Sequence, residues 1–490
     1  MKITVLNGSP KGDISVTMQY INYMKNNFAG GASYHIFDIS KDIRKIEKNK
    51  NHLNEIVSHV GSSDAVIWAF PVYVFLVPAQ MKRFIELIFE NGLSNRFSGK
   101  YATAVTTSVH FFDTTAHDYI AAVSEDLGMN YIEGYSAKMM ELADNKDAPG
   151  RLGSFTKRFM NSIQKKAPRT VRFDPVPAGS FKYERSESSN FKPAVSPGRE
   201  PVKNTGNFNK SGKTTAAAAS ASACGRTEKL LILTDEHGTG SNISIMIEKV
   251  SDDFPGTTEI VNISQCDIKS PCTGCMTCAY ESKCVFDDDI RNIVENKMHG
   301  ADAILFAGTV RDRYLSSRWK TFFDRCFYRG HIPSFYQKPV GFMVSGALRK
   351  LPWLRQIFEG MANLDDSALA GIVTDECADS KELSAQLNHL TEELADALRN
   401  RTLGRSTFYS EGGRLIFREL VYRTWPLFRM DHKFYSAHGF YDFPQKRYME
   451  RVSNAFTWFL TLIPSARKYM YRNMKNLLLR PFEKINKKKE

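Results

Sequence analysis

The sequence predicts an α/β protein of two doubly wound parallel-sheet domains, residues 1–165 and 228–400. A linker over 166–227 joins them, and a basic, aromatic-rich extension follows over 401–490. Three observations predict this. One pattern of residues occurs twice, a segment unable to build a core lies between the copies, and the positive charge is gathered at the end. At 490 residues the chain has room for about three ordinary domains. Its 42 % hydrophobic and 24 % charged content excludes bulk disorder, a collagen-like fibre and a disulfide-dense mini-scaffold.

The repeat comes first. KITVLN at 2–7 is matched by KLLILT at 229–234, and DAVIWA at 64–69 by DAILFA at 302–307. Eighteen residues beyond each Asp stands a Lys, Lys82 and Lys320, followed by Phe84 and Phe322. The offset grows from 227 to 238 between these matches, so the second copy carries about eleven extra residues. Apolar, β-branched runs separated by helical segments mean parallel strands covered on both faces. Ligands of such sheets bind at the carboxyl ends of the strands, so the loops after strands one, three and four should hold the chemistry. The last helix of the second copy follows Asp379: Leu383, Leu387, Leu390, Leu394 and Leu398 form one apolar stripe, ending near Asn400.

Residues 168–227 hold six of the 19 prolines and no Leu, Ile, Met or Trp, so they cannot offset their ordering entropy by burial. The KSGKT at 210–214 has the wrong glycine spacing for a phosphate loop and no strand before it. Of the net charge of +13, residues 401–490 supply +12, with nineteen Lys and Arg against seven Asp and Glu. The body is nearly neutral. No apolar signal segment follows the first strand, and no cysteine precedes Cys224, so the chain reads as cytoplasmic and reducing.

The first loop, 7–17, leaves a strand and opens a helix. Gly8 permits the tight turn, helix-start N–H groups suit a phosphate, and Ser9, Lys11, Ser15 and Thr17 add donors and charge. An ordinary capped strand-to-helix turn is the plainer alternative. Pro71, Val72, Tyr73 and Val74 leave strand three, and Thr106, Thr107 and Ser108 leave strand four. An aromatic and a row of hydroxyls there suit a flat heteroaromatic ring with a polar rim.

LNGSPKGDISVT with PVYVFLVPAQMKRFIE resembles the flavodoxin-like NAD(P)H-dependent FMN reductases and quinone reductases, over most of 1–165. The resemblance implies a flavodoxin-like fold, FMN phosphate in the first loop, the isoalloxazine framed by the next two, and NAD(P)H as electron donor. The second copy is similar to the iron–sulfur flavoproteins through PCTGCMTCAYESKC. Its Cys272, Cys275, Cys278 and Cys284 have spacing that can hold a [4Fe–4S] cluster. A zinc or redox-thiol site and an unoccupied loop are the alternatives. That copy has Asp235, Glu236 and His237 in place of Gly8, Ser9 and Pro10, and Thr309 and Arg311 in place of Pro71 and Tyr73, which disfavours a second FMN, although Ser241 and Asn242 could still supply donors after Gly238 and Gly240.

The extension holds 18 aromatic residues in its 90 positions, interleaved with Arg and Lys. Packing on the sheet domains, a membrane surface and single-stranded nucleic acid are the candidate uses, the last the least expected. The expectation is an FMN-dependent NAD(P)H oxidoreductase passing electrons to a quinone, aromatic or protein acceptor. It would work as an internal pseudo-dimer or a homodimer, with peripheral membrane contact through its tail. A non-catalytic scaffold presenting that tail is the alternative.

Overall fold

The computed structural model describes residues 1–185 and 227–469, apart from 29, 169, 178, 180, 443–447, 467 and 468. The segment 186–226, with Cys224 and the decoy at 210–214, lies outside the described residues, as does the chain beyond 469. The chain forms two compact units, Met1–Asp431 and His432–Glu490.

In the first unit the leading domain runs β1 (Lys2–Asn7), α1 (Val16–Phe28), β2 (Ser33–Phe37), α2 (Ile39–Lys48), α3 (Lys50–Gly61), β3 (Ala65–Pro71), α4 (Ala79–Glu90) and β4 (Tyr101–Ser108). It continues with α5 (Asp113–Asp126), β5 (Asn130–Tyr131), β6 (Tyr135–Lys138), α6 (Glu141–Asp144) and α7 (Ala148–Gln164). The next domain runs β7 (Lys229–Thr234), α8 (Asn242–Asp253), β8 (Thr257–Asn262), α9 (Cys278–Glu281), α10 (Asp289–Asn292), β9 (Ala303–Thr309) and α11 (Ser317–Cys326). It ends with β10 (Val340–Ser345), α12 (Pro352–Leu364), β11 (Leu369–Thr374) and α13 (Ser380–Asn400).

Both sheets are parallel. Their orders, β2-β1-β3-β4-β5 and β8-β7-β9-β10-β11, are the same doubly wound order, with β6 added beside β4 in the first. Even the registers repeat: Ile3 pairs with Ala65, and Leu230 with Ala303. β1, β3, β4, β7, β9 and β10 are buried runs because helices cover both faces, whereas the edge strands β2, β8 and β11 are mostly half-buried. One apolar layer packs α1 and α7 on the first sheet, and another packs α8 and α13 on the second. The third is continuous from Ile39 in α2 to Ala362 in α12, so the two domains share one core. The leucine stripe of α13 is buried as its spacing requires up to Leu394, capped by Asp379, which accepts from the N–H groups of Lys381 and Glu382.

The contact between the domains is reciprocal. Lys82 Nζ donates to the Arg311 carbonyl at 2.9 Å, and Lys320 Nζ donates to the Tyr73 carbonyl at 2.9 Å. The N–H of Ala79 donates to Asp324 Oδ2 at 2.8 Å, and that of Ser317 to Glu86 Oε1 at 2.6 Å. Each pair exchanges under the 238-residue offset. Contacts that swap under one operation are the mark of a two-fold interface, here formed within a single chain.

The described part of the stretch read as a linker is anchored. Phe173 stands edge-on to Trp353 with ring centres 5.2 Å apart, and Tyr183 is fully buried against the second domain. Beyond α13, α14 (Phe408–Arg423) lays Tyr409 on Phe112 and Phe417 on Phe111. α15 (Arg429–Ala437) contributes Asp431, whose Oδ1 lies 3.0 Å from His331 Nδ1. α16 (Tyr448–Thr461) belongs to the second unit. No helix among the described residues is long and apolar enough to cross a membrane.

Candidate functional site

The site grows from the carboxyl edge of the first sheet. Gly8 N donates to the Ala69 carbonyl at 2.7 Å, tying the first loop to β3. A Cβ on Gly8 would stand 2.6 Å from Met81 Cε and 3.0 Å from Phe70 Cβ, so a larger residue would push the Met81 side chain aside and crowd Phe70. Asn7 Oδ1 accepts from Ser9 N at 3.0 Å, and Ser40 Oγ donates to the Gly8 carbonyl at 2.6 Å. Gly12, at φ +60°, turns the chain through a short 3-10 turn into α1, where Ser15 Oγ accepts from Met18 N. Ser9, Ser15 and Thr17 are all buried.

Thr17 Oγ1 and Thr107 Oγ1 are 2.6 Å apart, so α1 and β4 meet through hydroxyls. Alternation along the strand sends Thr106 the other way, 2.8 Å from His117 Nε2. Ser108 Oγ accepts from His110 N at 2.9 Å. The loop after β3 is held by Val72 N on the Thr107 carbonyl, then turns back at Tyr73 and Leu76 with Val74 at φ 35° and Phe75 at φ 69°. Two consecutive residues at positive φ make a mirror-image turn, strained for a β-branched valine. Asp312 and Arg313 repeat that turn in the second domain at φ 44° and 66°.

His110 is a residue that sequence reasoning passed over. It sits at φ 61° just past β4, with Nδ1 2.9 Å from Asp113 Oδ2, and Ser136 Oγ donates to the same oxygen at 2.6 Å. The hydrogen bond to Asp113 raises the imidazole above its ordinary range, against partial burial. Burial works to raise Asp113, yet the bonds from His110 and Ser136 outweigh it and hold the carboxyl at about 2. The three-residue spacing of His110 and Asp113 was the available signal.

The second domain closes over this site. A Cβ on Gly274, at φ +64°, would lie 2.4 Å from Tyr73 Oη and 3.5 Å from Lys11 Cε, so the cysteine loop rests on two of the predicted residues. Gln80 Nε2 donates to the Cys272 carbonyl at 2.9 Å. Burial pushes the Cys272 thiol up to about 12 and the Cys278 thiol to about 11. Burial also opposes ionisation of Cys275, but bonds from Thr277 and Thr273 bring it below its ordinary value. Cys284 Sγ lies 3.4 Å from Arg325 Nη2. All four are free thiols, and no group of three or more His, Cys, Asp or Glu among the described residues is disposed to hold a metal ion. The loop nonetheless gathers the four thiols, since Cys272 interacts electrostatically with Cys278 and Cys284, and Cys278 with Cys275 and Cys284.

In the second domain the matching positions are filled by the chain itself. Asp235 accepts from Trp319 Nε1 at 2.9 Å and from Ser316 Oγ, and Glu236 Oε1 takes the N–H groups of His237 and Gly238. Ser241, the counterpart of Ser15, caps α8 by accepting from Ser244 N, and the next residue, Asn242, donates to Asp375 Oδ2 at 2.8 Å. Ser345, the counterpart of Thr107, donates to the same oxygen at 2.6 Å, and Gly346 N donates to Asp375 Oδ1.

The family model described as NADPH-dependent FMN reductase matches residues 1–139 and again 228–371, more than half of the chain. The chain belongs to that family. It is a flavin-dependent oxidoreductase carrying the family module twice. A curated relative, the FMN-dependent NADH:quinone oxidoreductase of Shewanella denitrificans, is 24 % identical over 188 residues, covering 32 % of this chain and 95 % of its own length. Among solved structures, an FMN-dependent NADH-azoreductase of Bacillus anthracis in complex with FMN has 15 % identity, TM-score 0.25, and covers 34 % of this chain and 100 % of its own. The flavoenzyme NAD(P)H:(acceptor) oxidoreductase of Paracoccus denitrificans has 20 % identity, TM-score 0.26, and covers 34 % and 97 %.

Proposed function

We propose that the first domain binds one FMN per chain and that the protein moves electrons from NAD(P)H to a quinone or a similar flat aromatic acceptor. The observation that carries this is the difference between the two copies. In the first, the donors at the sheet edge are hydroxyls, a lysine and helix-start N–H groups, which fit a phosphate. In the second, Asp235, Glu236 and Asp375 stand at the same sheet edge and accept from the chain's own donors, and they would repel one. FMN, when bound, supplies hydride acceptance and two-electron return. The protein's part is positional: Ser9, Lys11, Ser15 and Thr17 hold the phosphate, and the turn at 71–74 with Thr107 and Ser108 frames the ring, Thr106 being turned to His117 on the other face.

His110 completes the reading. With Asp113 ionised, Nδ1 carries its proton toward that carboxylate, which leaves Nε2 to hold and deliver a proton to the reduced acceptor. A [4Fe–4S] cluster is supported by the spacing of Cys272, Cys275, Cys278 and Cys284 alone, and no electron step is routed through it. Taken by itself the second domain suits the scaffold reading.

The test is flavin content. Purified protein should release one FMN per chain on heating. Replacing Ser9 and Thr17 by Ala should weaken FMN binding by about 1.5–3 kcal/mol per lost bond to the charged phosphate. The same change at Ser241 and Asn242 should leave FMN binding unaltered. Colourless protein that takes up no added FMN would overturn the reading, and two FMN per chain would overturn its asymmetry.

A further inference from the structure

The second compact unit carries a surface that flavin chemistry does not use. On α16, Met449, Val452, Phe456 and Phe459 follow one another at spacings of three and four, and Ile463 continues the series past the helix end. Their exposures are 77, 61, 63, 61 and 51 %. Side chains three and four apart share a helix face, so the first four make one continuous apolar stripe open to solvent, and Ile463 adds exposed apolar surface just beyond the helix. Contiguous exposed apolar surface of this kind marks an interaction site.

The flanks say what covers it. Lys446 and Arg447 precede the helix, and residues 464–490 hold nine Lys and Arg against two Glu. A second copy laid on the stripe would bring two such basic flanks together. An anionic bilayer would neutralise them, each Lys or Arg held near the surface adding to the attraction. Fourteen residues make a helix of about 21 Å, against the roughly 30 Å of a hydrocarbon core, so α16 is too short to span and long enough to lie in the interface. We propose that α16 docks, stripe inward, on a lipid surface rich in anionic phospholipid. This stands whether or not the flavin reading does.

The experiment is co-sedimentation of the full-length protein with vesicles of phosphatidylcholine alone and of phosphatidylcholine mixed with phosphatidylserine. Binding to the mixed vesicles at low salt is expected, about tenfold or more weaker on phosphatidylcholine alone and at high salt. A Phe456→Ser, Phe459→Ser variant should lose the binding and keep its melting temperature, since both side chains are exposed. Equal partition to the two vesicle types, no binding to either, or an unchanged variant would overturn the proposal. So would a lipid-free dimer that forms with rising concentration and is lost in the variant, which would assign the stripe to a second copy.

Discussion

Asp113 sets the state of His110, and the two give opposite pH signatures. The His110 value is raised above the ordinary 6.5, so its contribution to stability is full below that value. It fades as pH rises through the raised one. Asp113 is held at about 2, so its contribution is present above the ordinary carboxylate range and is lost only as pH falls through 2. Glu141 adds to the rise of His110 and Lys138 opposes it. Replacing Asp113 by Asn should bring the His110 titration back toward its ordinary range, read by NMR of the ring protons. If His110 delivers the proton, the alkaline limb of the pH–rate profile should move with it. A limb that stays put while the NMR titration shifts would remove His110 from the reaction.

At the scale of elements, α4 and α11 are locked by buried charge. Lys320 and Asp324 are both completely buried and paired with each other, and Lys320 also reaches the Tyr73 carbonyl. Replacing Lys320 by Met strands a buried carboxylate, and urea unfolding should show a loss of about 3–5 kcal/mol. Adding Asp324→Asn to that variant should recover part of it. The strands, the repeat and the leucine stripe of α13 were legible because they rest on periodicity and local spacing. The matched Asp64 to Lys82 and Asp302 to Lys320 intervals were visible too, but not their meaning. Each lysine crosses to a carbonyl of the other domain, and carbonyls leave no trace in composition. Asp375 was invisible for a similar reason, since its three donors come from α8, β10 and the residue after β10. The cysteine spacing gathers the four thiols into one loop, where Cys272 and Cys278 feel the charge of their neighbours, but it gave no sign of where that loop would sit. Gly274 seats the loop on Tyr73, Gln80 holds the Cys272 carbonyl, and Arg325 holds Cys284.

At the scale of the molecule, the two modules form one body around one open sheet edge. The core continuous from α2 to α12 and the buried Arg313, whose Nη2 donates to Asp126 Oδ1 at 2.6 Å, should hold the halves without a covalent joint. Expressed as two chains, 1–185 and 227–490, the halves should co-purify through a tag on either. FMN should remain with the complex and be lost from 1–185 alone if the cysteine loop is needed to wall the site. Independent elution of the halves would show that the shared core is too weak to stand on its own.

The crossing bonds of that interface lean on the main chain: the carbonyls of Tyr73 and Arg311, and the N–H groups of Ala79 and Ser317. Substitution cannot delete a carbonyl. Only proline removes an N–H, so one partner in each bond survives almost any mutation while the side chain on the same residue is free to change. Between the two copies an aromatic has become a guanidinium at 73 and 311, and a methyl has become a hydroxyl at 79 and 317, with the bonds kept. A self-complementary surface in a dimer of identical chains registers every substitution twice. Fused into one chain, each half registers its own substitutions once, so one sheet edge was free to fill with carboxylates while the other kept its hydroxyls.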